Sequence, residues 1–249
     1  QKEENVKAHP GRYIGYDLKY KQIQKTENND AYMKRNAETQ KKYRKNNPHI
    51  AEKQREADKT DPDRKLYTYK RKNEISNISN DNFDDEYIKQ LFSQPCFYCT
   101  FLDEKYLNGV DRIDNSKDYG KDNIVPCCSM CNYMKNTLSV NNFVKICIHI
   151  ATTNKLYDGK LYPDLFSTNK STKKFSYYKF RATKKKLNFH LTKDDYDKLV
   201  HNKHCYICMQ QYAICGIDRV DNSEGYIIGN VKSCCYTCNI MKKSYDLDI

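Results

Sequence analysis

Eight cysteines in this chain are spaced to hold metal ions. Cys96-Phe-Tyr-Cys99 is followed by Cys128-Ser-Met-Cys131, and Cys205-Tyr-Ile-Cys208 is followed by Cys235-Tyr-Thr-Cys238. A two-residue gap lets a tight turn aim both sulfurs at one point, and four thiolates suit a tetrahedral zinc ion at about 2.3 Å. The expected sites are Cys96, Cys99, Cys128 and Cys131 for one ion, and Cys205, Cys208, Cys235 and Cys238 for a second. With all four positions filled by protein, both ions would be structural. The alternative is disulfides in a secreted domain. It is the weaker reading, because no signal peptide is visible and paired Cys-x-x-Cys is a zinc pattern. Four of the 12 cysteines remain: Cys127, Cys147, Cys215 and Cys234. They read as small buried hydrophobes. Either of two adjacent cysteines could be the ligand, and the two-residue gap favours Cys128 over Cys127 and Cys235 over Cys234.

Between and after the cysteine pairs the sequence repeats. Gly109-Val-Asp-Arg-Ile-Asp-Asn-Ser116 matches Gly216-Ile-Asp-Arg-Val-Asp-Asn-Ser223. Asn123 matches Asn230, Cys128 and Cys131 match Cys235 and Cys238, and Lys135 matches Lys242, all at one offset of 107 positions. An internal repeat of this length means two copies of one structural unit. A knuckle, Asp-Arg-Ile-Asp or Asp-Arg-Val-Asp, an Asn, then Cys-x-x-Cys-Asn-x-x-Lys resembles the zinc-bearing HNH endonucleases, the ββα-metal or treble-clef nucleases. The resemblance covers each motif with its preceding helix.

That resemblance implies a fold class: small α+β zinc-stabilised modules, here two tandem treble-clef or HNH-like units joined by helices. It also implies a chemistry. In the family a hairpin and a helix hold one divalent cation, Mg²⁺ or Mn²⁺, beside the scissile phosphate, and a His acts as general base. By position, Asp111 with Asn123, and Asp218 with Asn230, match the cation ligands. Arg112 and Arg219 stand where the base His belongs, and a guanidinium stays protonated. Two substitutes are on hand. Asp114 and Asp221 could act as base or as a further ligand, while Arg112 and Arg219 could grip a phosphate bidentately. The competing reading of the Asp-Arg-x-Asp run is a salt-bridged hairpin that stiffens the fold.

The elements that must position these residues read as follows. Phe83 to Leu91 and Leu191 to Leu199 are parallel stretches ahead of the knuckles. Helices are expected over 82–93 and 194–202, the second capped by Thr192. Ile124-Val125 and 227–231 read as returning strands, and each second Cys-x-x-Cys opens a helix. Asn141 is expected to cap an apolar helix carrying Phe143, Ile146, Cys147 and Ile150, which should close the first module's core. His149 beside that face reads as a core or surface residue, not a ligand.

Charge points to the partner. With 44 Lys and Arg against 32 Asp and Glu, the formal net charge is +12, a balance suited to a polyanion such as nucleic acid. Residues 1–80 form a basic arm with expected helices over 31–46, 50–59 and 62–71, the competing reading being a solvated or disordered tail. Residues 165–193 contain no acid at all. They carry Lys170, Lys173, Lys174, Lys179, Arg181, Lys184, Lys185, Lys186 and Lys193, with Phe and Tyr interleaved, a pattern for phosphate contact and base stacking. The competing reading is a solvated linker helix. Three domains follow: the helical basic arm 1–80, a first zinc module 81–160, and 161–249, a basic linker helix with the second module.

The combined expectation is a nucleic-acid-binding protein of HNH type, DNA ahead of RNA, with metal-dependent phosphodiester cleavage weakened or lost. The alternative is a non-catalytic zinc protein that cements a large assembly with other proteins, such as a virion or a ribonucleoprotein. No apolar run is long enough for a membrane span. Reduced cysteines suit an intracellular setting, or a particle assembled in one.

Overall fold

A computed structural model of the chain describes residues 29–166 and 173–245. Expectations that fall on residues 1–28, on Lys170 and on the last four residues lie outside it. The chain divides into two compact units, residues 1–65 and 66–249.

The first unit carries helices α1 (Asn29–Asn46) and α2 (Pro48–Thr60). Pro48 has no N–H to continue α1, but its fixed φ suits the first turn of α2. Asp61 then caps helix α3 (Pro62–Ile75): its Oδ1 accepts from the N–H groups of Asp63 at 2.9 Å and Arg64 at 3.2 Å. The three helices expected in the arm are present, and α3 runs across the unit boundary, with Leu66 buried in the second unit.

The second unit repeats one plan twice. In the first copy, α3 and α4 (Asp85–Phe92) precede the knuckle. The strands β1 (Gly109–Arg112) and β2 (Ile124–Cys127) then form an antiparallel hairpin with Arg112 opposite Ile124, and α5 (Ser129–Lys135) closes the copy. Asp84 caps α4 by accepting from Tyr87 N–H, and Leu66, Phe83, Ile88 and Phe92 bury their side chains with Val110 and Ile124. After helix α6 (Val140–Thr153) comes the second copy: α7 (Phe175–Lys185), α8 (Lys193–Val200), a hairpin of β3 (His201–His204) and β4 (Gln211–Ile214) around the knuckle, the hairpin β5 (Gly216–Arg219) and β6 (Val231–Cys234), and α9 (Tyr236–Lys242). Thr192 caps α8 as expected, in a capping box with Asp195.

The hairpins β1–β2 and β5–β6 are each anchored from behind by a tyrosine. The Tyr69 hydroxyl accepts from Val110 N–H at 3.0 Å, and the Tyr178 hydroxyl accepts from Ile217 N–H at 3.2 Å. This is why both strands begin with glycine. A Cβ on Gly109 would run into the Tyr69 hydroxyl, and one on Gly216 would lie 3.2 Å from that of Tyr178.

Three expectations need correction. The cap of α6 is Ser139, whose Oγ accepts from Asn142 N–H at 3.3 Å, and not Asn141. Nor does α6 serve the first module alone, although its Phe143 meets Tyr98 of the first knuckle edge-on at 5.3 Å. Its Phe143 and Ile146 pack with Cys205, Ile207, Cys208 and Tyr212 of the second knuckle, while α3 and α4 supply the core behind the first hairpin. His149, fully buried on α6, accepts from Tyr162 N–H through Nδ1 at 2.8 Å and faces the Cys208 carbonyl at 3.2 Å, a core role. The returning strand of the second copy begins at Val231, not Ile227, since Asn230 holds the preceding loop.

Candidate functional site

In each copy the second Cys-x-x-Cys sits at the start of a short helix. Cys128 is the N-cap of α5 and Cys235 that of α9; each Sγ accepts from the N–H of the next ligand, Cys131 or Cys238. This bonding fixes the sulfur and draws negative charge to it at the positive end of the helix. The knuckle turn of each copy supplies the other two sulfurs. In both groups of four the Sγ atoms lie within 4.8 Å of one another. Cys99 and Cys128 are 3.8 Å apart, and Cys208 and Cys235 are 3.9 Å apart. Two thiolates bonded to one zinc at about 2.3 Å and the tetrahedral angle would be separated by about 3.8 Å. Each of the two Cys₄ groups could therefore hold a zinc ion. Burial pushes the Cys96 thiol up, but N–H bonds from the backbone of Cys128, Cys99 and Tyr98 outweigh it and bring the group down to about 7. Cys205 is drawn well below the ordinary thiol range by its Cys208, Cys234, Cys235 and Cys238 neighbours. Cys127 and Cys234 are fully buried, and each sulfur donates to the carbonyl of the cysteine that follows it.

The hairpin residues form a second constellation beside each cluster. Asp111 is buried on β1, and its Oδ2 receives the Tyr98 hydroxyl at 2.7 Å and the Lys135 ammonium at 3.0 Å. Lys135 has no exposed surface and donates a further bond to the Arg112 carbonyl at 2.9 Å. The second copy repeats the arrangement. Tyr206 donates to Asp218 Oδ2 at 2.8 Å, Lys242 Nζ lies 3.1 Å from the same oxygen, and it donates to the Arg219 carbonyl at 3.0 Å. Asn132 and Asn239 add a bond from the helix to β1 and β5, through the carbonyls of Val110 and Ile217. Each short helix is thus pinned to its hairpin by one buried ion pair and one amide.

Asn123 and Asn230 are engaged by the loop instead. Asn123 Oδ1 accepts from Asp114 N–H, and its Nδ2 donates to the carbonyls of Asp114 and Asp118 at 3.0 and 2.7 Å. Asn230 does the same with Asp221 and Gly225. Substituting either with Ala should cost about 1–3 kcal/mol, because loop groups lose their partners in a buried setting; the urea midpoint of each single variant measures it. Arg112 donates to the Lys117 carbonyl and stacks on Tyr119, while Arg219 donates to the carbonyls of Asn222 and Glu224 and stacks on Tyr226. The Asp114 carboxylate accepts from the Ser116 hydroxyl and N–H, which hold it below the usual carboxylate range. Ser223 does the same to Asp221. A carboxylate held more acidic than usual is a weaker proton acceptor near neutral pH.

Sequence reading missed Lys135, Lys242, Tyr98 and Tyr206 as partners of the aspartates. The lysines had a signal: each follows its aspartate at the same distance in both copies. The tyrosines had none, since Tyr98 is the third residue of its knuckle and Tyr206 the second of its own.

The seven basic residues singled out near α7 (Lys173, Lys174, Lys179, Arg181, Lys184, Lys185 and Lys186) are all exposed. The opposite face of α7 buries Tyr178 and Ala182 against α8 and β5. Phe180 is 64% exposed among these charges. Among the described residues, no helix is long and apolar enough to cross a membrane.

No family profile and no solved structure matches the chain. It is 41% identical over 163 residues to Uncharacterized protein R423 of Acanthamoeba polyphaga mimivirus. That alignment takes in 64% of this chain but only 30% of the viral protein, so the chain spans less than a third of its relative.

Proposed function

We propose that this chain is a zinc-stabilised nucleic-acid-binding protein on an HNH-like scaffold, and that it does not cleave what it binds. The observation that carries the second half is the buried ammonium on each aspartate. Lys135 neutralises Asp111 and Lys242 neutralises Asp218, where the family resemblance would put a divalent cation. A Mg²⁺ or Mn²⁺ ion brought to the same carboxylate would be repelled by the ammonium, and the asparagine that should share it already serves the loop. Arg stands in place of the proton acceptor in both copies. The binding half draws on the net charge of +12 and on the exposed basic face of α7.

Phosphate contacts release counterions, so binding should weaken steeply with salt. If six or more phosphates are contacted, affinity should fall by about 10³–10⁵ between 50 and 200 mM salt. A titration of labelled DNA and RNA across salt concentrations checks this; a flat profile contradicts it. The source of the relative supports a second reading, a cementing role inside a viral particle. On that reading the chain would sediment with a protein assembly after nuclease treatment, and on the first it would be released.

A further inference from the structure

Arg181 and Lys185 of α7 and Arg219 of β5 line one cleft of about 950 Å³, together with residues of α9 and Tyr133 of α5. That volume is at the upper end for a ligand pocket. Five basic side chains line it, against a single acid among the described lining residues, Asp218, which Lys242 already neutralises. Partial desolvation, then repulsion from Arg181 and Arg219, holds the Lys185 ammonium below the ordinary lysine range. Three cations held together without a matching acid form a seat for an anion. Arg181 is oriented by a bond to the Tyr177 hydroxyl at 3.1 Å, and Tyr177 and Tyr133 line the cleft with cations over their rings, Lys173 and Arg181 on Tyr177 and Lys243 on Tyr133, which a base must displace or share to stack there.

We propose that this cleft binds single-stranded nucleic acid, with a backbone phosphate on Arg181, Lys185 and Arg219 and a base against Tyr133 or Tyr177. The proposal rests on the nucleic-acid reading above and narrows it to one form and one place. Aromatic faces are useful only to bases freed from a stack, and base–aromatic stacking tolerates any sequence. A duplex keeps its bases inside and is too thick to enter a pocket of this size. The first copy lacks one of the three cations in its sequence, keeping Lys72 and Arg112 at the positions of Arg181 and Arg219. Counting from the anchoring tyrosines Tyr69 and Tyr178, Ser76 stands where Lys185 does.

The test is fluorescence anisotropy of the zinc-loaded chain with a labelled oligothymidylate and with a hairpin duplex of equal length, inorganic triphosphate serving as competitor. Arg181→Gln with Lys185→Gln should weaken the single strand by about tenfold or more. Lys105→Gln with Lys160→Gln removes the same charge from exposed positions outside α7 and the cleft, and should cost less than about threefold. Tyr133→Ala should weaken the single strand and leave the duplex unchanged. Equal losses from the two charge pairs, tighter binding of the duplex, or full displacement by triphosphate at low concentration would overturn the cleft while leaving general nucleic-acid binding intact. No binding of either probe by the parent would overturn both.

Discussion

Removing zinc should unfold the second unit, and the two sites should empty in order. Zinc binding to structural Cys₄ and related sites is worth about 10–16 kcal/mol in apparent terms at neutral pH. A core of this module size supplies only about 3–5 kcal/mol by itself. The larger figure decides: without the ion, neither hairpin-and-helix module should remain folded. The order follows from exposure. Cys99 is exposed, whereas all four ligands of the second group are buried under α6 and the β3–β4 hairpin. A chelator titration should release one zinc per chain first, with partial loss of circular dichroism, and the second at higher chelator with the rest. Cys128→Ser should delete the first step, and Cys235→Ser the second. Metal analysis that finds fewer than two zinc ions per folded chain contradicts this account.

The second large effect lies in the buried lysines. Lys135→Met leaves the Asp111 carboxylate, 5% exposed, with only the Tyr98 hydroxyl as a partner for Oδ2. Breaking a buried pair on one side costs about 3–5 kcal/mol, because the remaining charge stays desolvated. Lys242→Met should do the same in the second copy. Replacing both partners, as in Asp111→Leu with Lys135→Met, should recover most of that loss, since an apolar pair of similar volume is often neutral or stabilising. A surface pair sets the contrast: Lys198 and Asp194 are 71% and 73% exposed, and Lys198→Met should cost no more than about 1 kcal/mol. Urea unfolding of the singles and the double measures the coupling. A loss below about 1 kcal/mol for Lys135→Met would show that the ammonium is not what holds Asp111.

Much of the site was legible because ligand spacing is a local property. Cys-x-x-Cys specifies its own turn, and the duplicated motif located both Cys₄ groups to the residue. The cap at Thr192 was legible for the same reason, whereas the cap at Ser139 was placed two residues late. Long-range choices were not. The apolar face of α6 fits either zinc module by periodicity alone, and in the fold it lies between them, packing on the second knuckle and on Tyr98 of the first. The β3–β4 hairpin carried no alternating pattern, its first strand being wholly exposed. The partners of Asp111 and Asn123 were hidden in another way. A resemblance proposes one role for an Asp and an Asn, but their actual partners depend on which side chains the fold delivers. Here these are Lys135 for the aspartate and the backbone of Asp114 and Asp118 for the asparagine.

The central claim is binding without cleavage, and one gel tests it. Supercoiled plasmid is incubated with the zinc-loaded chain and Mg²⁺ or Mn²⁺, then run both native and after protein removal. The account predicts retarded DNA in the native lanes and unchanged supercoiled DNA after removal. Nicked or linear DNA produced by the parent, and abolished by Asp111→Asn with Asp218→Asn in a folded zinc-loaded chain, would contradict it.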